Sequence, residues 1–357
     1  MTETVQAPAA EPEATGDMPQ SYYDSIKARF ADARDLRLKY RPQGTAQYTS
    51  DFSGDLAKYA IDPHAEPAPD RAPIDDKVEV LFIGGGFSAL LTAARLRERG
   101  VESIRIVERG ADVGGQPGTG TAIQARPATC RATDYLPLLD EMNYVPSRLY
   151  AKGPEIYAHC QAIAKRYDLY DLAVFRTTVL KTTWDNEGKH WLIETDRGDR
   201  MRAKFVICAN GTLSKPKLSK IAGMESFAGH SFHTSRWDYA YTGQDLENLS
   251  DKVVGIIGTG ASAVQAIPRL GKAAKALYVF QRTPSGIDIR GDRPTDPEWQ
   301  ARLKPGWQQA RRMKHIRGRE LDEAKKAELA ALSREEKIRR QENANIDHMM
   351  RIHAPHR

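Results

Sequence analysis

A chain of 357 residues with 40% hydrophobic and 28% charged residues has the composition of a soluble globular protein and the length of two or more domains. Its net charge of +6 comes with no basic run interleaved with aromatic residues, so the sequence carries no footprint for nucleic acid. No apolar run reaches transmembrane length and the N-terminus lacks the apolar segment of a signal peptide, which predicts a cytoplasmic protein with no membrane partner.

Residues 1–20, rich in Ala, Pro, Glu and Thr, are predicted to be a disordered tail. Residues 21–76 read as an N-terminal extension. Its first part, 21–40, has an amphipathic helical pattern (Ile26, Phe30, Leu36), and 62–76 form a proline-rich linker. The three cysteines, Cys130, Cys160 and Cys208, show neither C-x-x-C pairing nor metal spacing. They are expected to be reduced thiols, with no metal site.

The apolar run Val78-Glu79-Val80-Leu81-Phe82-Ile83 predicts a buried strand. The turn Gly84-Gly85-Gly86-Phe87-Ser88-Ala89 follows at once, then a helix over 89–99 and a strand over 103–107 that ends in Glu108. This is a βαβ unit, the context in which G-x-G-x-x-A marks a dinucleotide site. Gly84 permits the tight turn, Gly86 lets backbone approach a pyrophosphate at the helix N-terminus, and Ala89 allows close helix–strand packing. Glu108, roughly 20 residues on, is placed to accept ribose hydroxyls. A tight turn in some other α/β protein is the plain alternative for the glycines alone.

A helix is predicted over 152–166, strands around 174–180 and 191–195 as a β-meander, and a buried strand over 202–209 that ends at Ala209-Asn210-Gly211. A second βαβ pattern follows: a strand over 253–257, the turn Gly258-Thr259-Gly260-Ala261-Ser262-Ala263, a helix through Leu270 and a strand over 277–280. It ends in Gln281-Arg282-Thr283 where the first unit ends in an acid. An acid would repel a ribose 2′-phosphate and Arg282 would pair with it, so this site is predicted to prefer NADPH to NADH. An exposed strand-end cation is the alternative for Arg282. Residues 291–357 are charged, with helices expected over 298–313 and 320–351.

Between the two units lies FAGHSFHTSRWD, residues 227–238, with Phe227, Gly229, His233, Trp237 and Asp238 spaced F-x-G-x-x-x-H-x-x-x-W-D. Two dinucleotide patterns flanking this linker resemble the Baeyer–Villiger monooxygenases. The resemblance runs from about Tyr22 to the last residues. It implies an α/β fold with two Rossmann-like dinucleotide-binding domains, both incomplete at the C-terminal side. An FAD domain would span 77–226, the linker and an NADP domain 227–290, and a truncated helical insertion 291–357. It places FAD at Gly84, Gly86, Ala89 and Glu108, and identifies Asp112-Val113-Gly114-Gly115 as the next flavin-contacting turn. It places NADPH at Gly258, Gly260, Ser262, Ala263, Arg282 and Thr283. The implied reaction inserts one atom of dioxygen beside the carbonyl of a small-molecule ketone, giving an ester or lactone. Gly229 would allow close backbone approach, Phe227 and Trp237 would anchor the linker by burial, and His233 would support interdomain geometry and cofactor cycling. Asp238 stands where many members have proline.

The stretch QPGTGTAIQARPATCRAT, residues 116–133, departs from the family's Trp- and Tyr-rich run. Codons chosen for Pro117 onward, read from their third base, give W-Y-W-N-R-Y-P-G-A-A-C-D-V-P-S-H. A compensated pair of frameshifts across 117–133 is therefore expected. The family's active-site arginine would lie beyond residue 357 and its aspartate partner in the altered stretch, so no catalytic residue is assigned. Two alternatives stand. One is an N- or S-oxygenating flavin monooxygenase, whose linker usually ends in Tyr-Lys instead of Trp237-Asp238. The other is an inactive nucleotide-binding fragment, expected to fold poorly because of its open sheet edge.

Overall fold

The computed structural model of the protein describes residues 19–40, 48–49, 52–59, 67–114, 132–211, 216–281, 291–317, 328 and 330–353. The predicted tail up to residue 18, Gly115, residues 117–131 of the altered stretch, Arg282 and Thr283 lie outside the described residues. The chain divides into two compact units, residues 48–320 and a second formed by residues 1–47 with 321–357.

Helix α1 (Gln20–Tyr40) occupies the predicted position and belongs to the second unit. In the first unit, a two-residue strand β1 (Tyr48–Thr49) precedes β2 (Asp75–Ile83), α2 (Phe87–Arg97) and β3 (Ile104–Val107), the first βαβ unit. Strand β2 begins three residues earlier than the apolar run because its polar start is tied down. Asp76 takes two hydrogen bonds from Arg105, at 2.6 and 2.9 Å, and Asp75 pairs with the start of a neighbouring strand.

After α3 (Ala132–Tyr135) and α4 (Gly153–Arg166), the sheet is completed by β4 (Ala173–Val174), β5 (Val179–Asp185), β6 (His190–Thr195) and β7 (Arg200–Cys208). The order is β4-β3-β2-β7-β6-β5. Strands β4, β3, β2 and β7 are parallel neighbours, and β5 and β6 extend them as an antiparallel meander. The strand expected over 174–180 is two strands instead. Arg176 takes a left-handed φ of 51° and gives its N–H to Gly110 O, so the chain breaks between the edge of the parallel region and the meander.

Val80 and Phe82 pack with Ala89, Leu90, Ile104, Ile106 and Ile163. Leu81, pointing the other way, packs with Ile193, Met201 and Ala203. Burial on both faces is why residues 80–83 of β2 read as an unbroken apolar run, while Glu79 before them is exposed.

A short β8 (Leu218–Ser219) pairs antiparallel with β1. Helix α5 (Tyr239–Thr242) follows, then the second βαβ unit, β9 (Val253–Ile257), α6 (Ala263–Ala273) and β10 (Ala276–Phe280). Its two strands are parallel, with Val253 opposite Ala276 and Ile257 opposite Phe280. Ile256, Ala266 and Leu270 form its core with Trp237, Leu246 and Leu249.

The helix expected over 298–313 is two helices, α7 (Pro297–Ala301) and α8 (Trp307–Arg317). Pro305 and Gly306, the latter at φ 87°, fall at the break. Buried Gln308 at the start of α8 clamps the chain before α4: its side chain accepts Leu139 N at 2.9 Å and donates to Leu136 O at 2.6 Å. Trp307 packs beside Ala132, Leu136 and Leu139. The last helix, α9 (Arg334–His353), pairs with α1 in the second unit. There Tyr23, Ile26 and Ile346 are buried together, with Lys27 and Glu342 2.6 Å apart at the rim.

Candidate functional site

The registers bring Ile83, Val107 and Cys208 level at the carboxyl ends of β2, β3 and β7. The carboxyl end of a parallel sheet is where an α/β fold opens its ligand crevice. Gly84 leaves β2 at φ 103° and gives its N–H to Val107 O at 2.8 Å. A Cβ there would stand 2.6 Å from Ala209 O, so the turn requires glycine on both counts. Gly86 is different. It caps the N-terminus of α2 with extended backbone at φ −80°, and a Cβ there would meet nothing within 4 Å among the described residues. No side chain caps α2. Open space at an uncapped helix N-terminus is a cradle for an anion such as a pyrophosphate. Ala89, fully buried one turn on, packs against the sheet.

Glu108 sits at the end of β3 as expected, and its carboxylate is already engaged. One oxygen accepts Gly85 N at 2.5 Å and the other Gly110 N at 2.5 Å. Two acceptor positions suffice for those bonds and leave lone pairs for a ribose.

The Asp112-Val113-Gly114 turn is seated on α4. Gly114, at φ 78°, gives its N–H to Gly85 O at 2.9 Å, which ties the second turn to the first. A Cβ on Gly114 would lie 2.7 Å from Cys160 Cβ and 2.9 Å from its Sγ. Asp112 accepts from Tyr157 Oη at 2.5 Å, Gln161 Nε2 at 2.8 Å, Tyr170 Oη at 2.9 Å and Val113 N at 2.7 Å. Burial pushes its carboxyl up, but hydrogen bonds from Tyr157, Gln161, Val113 N and Tyr170 outweigh that and hold it below the ordinary carboxylate value. Burial and the Asp112 charge push Tyr157 and Tyr170 up, so both remain donors. The same two causes push the Cys160 thiol up to about 12, which leaves it protonated and inert. Sequence reasoning missed this cluster. Its signal was the spacing 157, 160, 161, one face of a helix.

In the second βαβ unit Gly258 repeats the geometry of Gly84, with φ 101° and its N–H on Phe280 O at 2.9 Å. Cβ atoms on Gly258 and Gly260 would meet nothing within 4 Å among the described residues. Ser262 caps α6 without a side-chain hydrogen bond, and Ala263 is buried at its first turn. Gln281, just past β10, reaches Thr259 Oγ1 at 3.4 Å. It takes the place that Glu108 holds beside Gly85.

The structure separates the two aromatic anchors of the linker. Trp237 is 2% exposed, edge-on to Phe232 at 5.2 Å, and its Nε1 donates to Thr242 Oγ1 at 3.0 Å. Phe227 is 60% exposed, so its expected burial does not hold. Its ring folds over Gly229 instead, where a Cβ would stand 2.5 Å from Phe227 Cζ. The close approach at Gly229 is thus made by this side chain. Asp238 Oδ1 caps α5 through Tyr241 N at 3.0 Å, and its Oδ2 lies 2.9 Å from His230 Nε2. A proline at 238 could make neither contact. His233 Nδ1 accepts Ser235 N at 3.1 Å and lies 2.7 Å from Ser235 Oγ. Burial, with Arg236's charge behind it, lowers its pKa, so it is a neutral imidazole with its proton on Nε2. No helix among the described residues is long and apolar enough to cross a membrane.

Comparison with known proteins places these features in context. The pyridine nucleotide-disulphide oxidoreductase family matches residues 81–348. Neopentalenolactone D synthase of Streptomyces avermitilis is 50% identical over 299 residues, 81% of this chain and 48% of that protein. A Baeyer–Villiger monooxygenase of Stachybotrys chlorohalonatus is 45% identical over 296 residues, 80% of this chain and 46% of that protein. Among solved structures, the polycyclic ketone monooxygenase of Thermothelomyces thermophila superposes with a TM-score of 0.71 at 35% identity, covering 80% of this chain and 50% of that one. The chain spans about half the length of the curated relatives it matches.

Proposed function

The chain belongs to the pyridine nucleotide-disulphide oxidoreductase family and, within it, to the Baeyer–Villiger monooxygenases, and from that premise we propose that it serves the insertion of one oxygen atom beside a ketone carbonyl. FAD and NADPH are its cofactors, dioxygen and a small-molecule ketone its substrates, and an ester or lactone its product. The observation that carries this reading is the pair of glycine turns on either side of the Trp237-Asp238 linker, each opening onto empty space at an uncapped helix N-terminus.

In this reading the FAD domain covers 77–226 and the linker with the NADP domain 227–290, followed by the helical segment 291–357. FAD lies at Gly84, Gly86, Ala89, Glu108 and the Gly114-Gly115 turn. NADPH lies at Gly258, Gly260, Ser262, Ala263, Arg282 and Thr283, with Arg282 on its 2′-phosphate. Bound together, the cofactors supply hydride transfer and the activation of dioxygen. The protein's share is positional. The N-termini of α2 and α6 attract the pyrophosphates, and Glu108 fixes the first turn through Gly85 N–H and its own exit from β3 through Gly110 N–H. Trp237 anchors the linker in the core of the second βαβ unit. His233, neutral and held by Ser235, keeps the linker's path without adding charge near the cofactors. A cytoplasmic location suits NADPH use and a reduced Cys160.

The test is turnover, with FAD supplied, by the complete protein in which residues 117–133 carry the restored reading frame. NADPH oxidation that needs both ketone and dioxygen, with ester or lactone identified by mass spectrometry, is the expected result. Sulfoxide or N-oxide without ester from any ketone would reject the reading.

A further inference from the structure

We propose that Asp112, Tyr157, Gln161 and Tyr170 form a positioning latch that sets the Gly114 turn against the Gly84–Gly86 turn and thereby sets the affinity for FAD. The inference rests on the FAD reading of the first βαβ unit and assigns to α4 a role in that site.

Tyr157, Cys160 and Gln161 stand at i, i+3 and i+4, so they share one face of the helix. The turn sits on that face: Gly114 lies over Cys160, too close for any Cβ, and Asp112 is gripped on either side by Tyr157 and Gln161. Tyr170, beyond the end of α4, closes the remaining side of the carboxylate. Four donors on one partly buried carboxylate, three of them side chains, exceed what a turn needs to hold its own shape. One backbone bond, Val113 N to Asp112 Oδ1, already closes it locally. Two of the others fix the turn to α4 and the third fixes it to Tyr170 just beyond, and Gly114 N on Gly85 O passes that position to the first glycine turn. Asp112 and its partners touch neither glycine cradle directly. They act through the turn, and so are positioning residues.

The test has two arms on the purified 357-residue chain. In the first, the apoprotein is treated with iodoacetamide, and alkylation of Cys160 and of exposed Cys208 is followed separately by peptide mass spectrometry. In the second, FAD binding is titrated by flavin fluorescence. Tyr157→Phe, which leaves the Asp112 charge beside Cys160 in place, is expected to speed Cys160 alkylation about tenfold or more and leave Cys208 unchanged, and both Tyr157→Phe and Asp112→Asn are expected to raise the FAD Kd about tenfold, equivalent to about 1.4 kcal/mol. An unchanged Cys160 rate, or wild-type FAD affinity in both variants, overturns the latch. A wild-type chain that binds no FAD rejects the cofactor reading instead, and the Cys160 rate still decides whether the latch holds the turn. If Asp112→Asn loses its far-UV spectrum, Tyr157→Phe, which removes one hydroxyl and keeps the ring, decides alone.

Discussion

The Glu108 carboxylate accepts the Gly85 backbone N–H at 2.5 Å and, through its other oxygen, the Gly110 N–H at 2.5 Å. One side chain at the end of β3 thus holds both the glycine turn after β2 and the chain's own exit. Glu108→Ala leaves two partly buried donors unpaired and should cost about 1–3 kcal/mol in urea denaturation. Glu108→Gln, which keeps one acceptor oxygen, should lose less, and FAD titration should rank the variants in the same order. Equal losses for Ala and Gln would mean the carboxylate does not fix the turn.

Trp237 and Asp238 make separable contributions to the linker. Trp237→Ala removes the largest side chain of the second βαβ unit's core and should cost about 3–5 kcal/mol. Trp237→Phe keeps most of the packing, loses the bond to Thr242 Oγ1, and should cost far less. Asp238→Ala removes the cap of α5, worth about 1 kcal/mol. Denaturant midpoints check all three. If Trp237→Ala costs no more than Asp238→Ala, the linker is not anchored by burial.

The two nucleotide-binding frames and the linker were readable because each depends on local chemistry. The run 80–83 is apolar because that part of β2 is buried on both faces, and Gly84 is demanded by its φ and by Ala209 O. What the sequence could not show were contacts that topology alone creates. Tyr157 lies 45 residues from Asp112 and Gln308 lies 172 from Leu136, and no periodicity joins such pairs. Phe227 looked like an anchor beside Trp237, yet only Trp237 is buried, because burial follows from the partner surface and not from aromatic character. The 174–180 strand failed at Arg176, a left-handed position that its residue type does not announce.

Two histidines should give the fold a stability that falls in acid. Burial holds His233 and His159 below the ordinary histidine value, against a weaker opposing pull at His159 from Pro137 O. Below about 6.5 the unfolded chain binds protons at these positions that the folded chain does not. Their contribution is therefore complete above that pH and declines as pH falls. Melting temperatures measured from pH 8 to pH 5 should drop, and His233→Gln should flatten the lower part of the curve. A slope unchanged in His233→Gln would show that His233 protonates freely in the folded state.

Arg282, which follows β10 in sequence, is proposed to read the 2′-phosphate of NADPH. Arg282→Ala should weaken NADPH binding by about 1.5–3 kcal/mol, the worth of a charge-assisted hydrogen bond, and leave NADH nearly unaffected. Isothermal titration with the two cofactors measures this directly. An equal loss for both would assign phosphate reading to another residue.

The central claim is that the open space at Gly86 is a flavin-phosphate cradle, and a titration of FAD into Gly84→Ala, Gly86→Val and the unaltered chain tests it most directly. A side chain at 84 would strike Ala209 O at 2.6 Å, so Gly84→Ala should lower the melting temperature of the apoprotein. A Cβ at 86 meets nothing within 4 Å among the described residues and the backbone there admits a branched residue, so Gly86→Val should leave apoprotein stability within about 1 kcal/mol of wild type. The account predicts one FAD bound per unaltered chain and loss of that binding in Gly86→Val with its fold intact. FAD bound equally well by Gly86→Val and by the unaltered chain would contradict it.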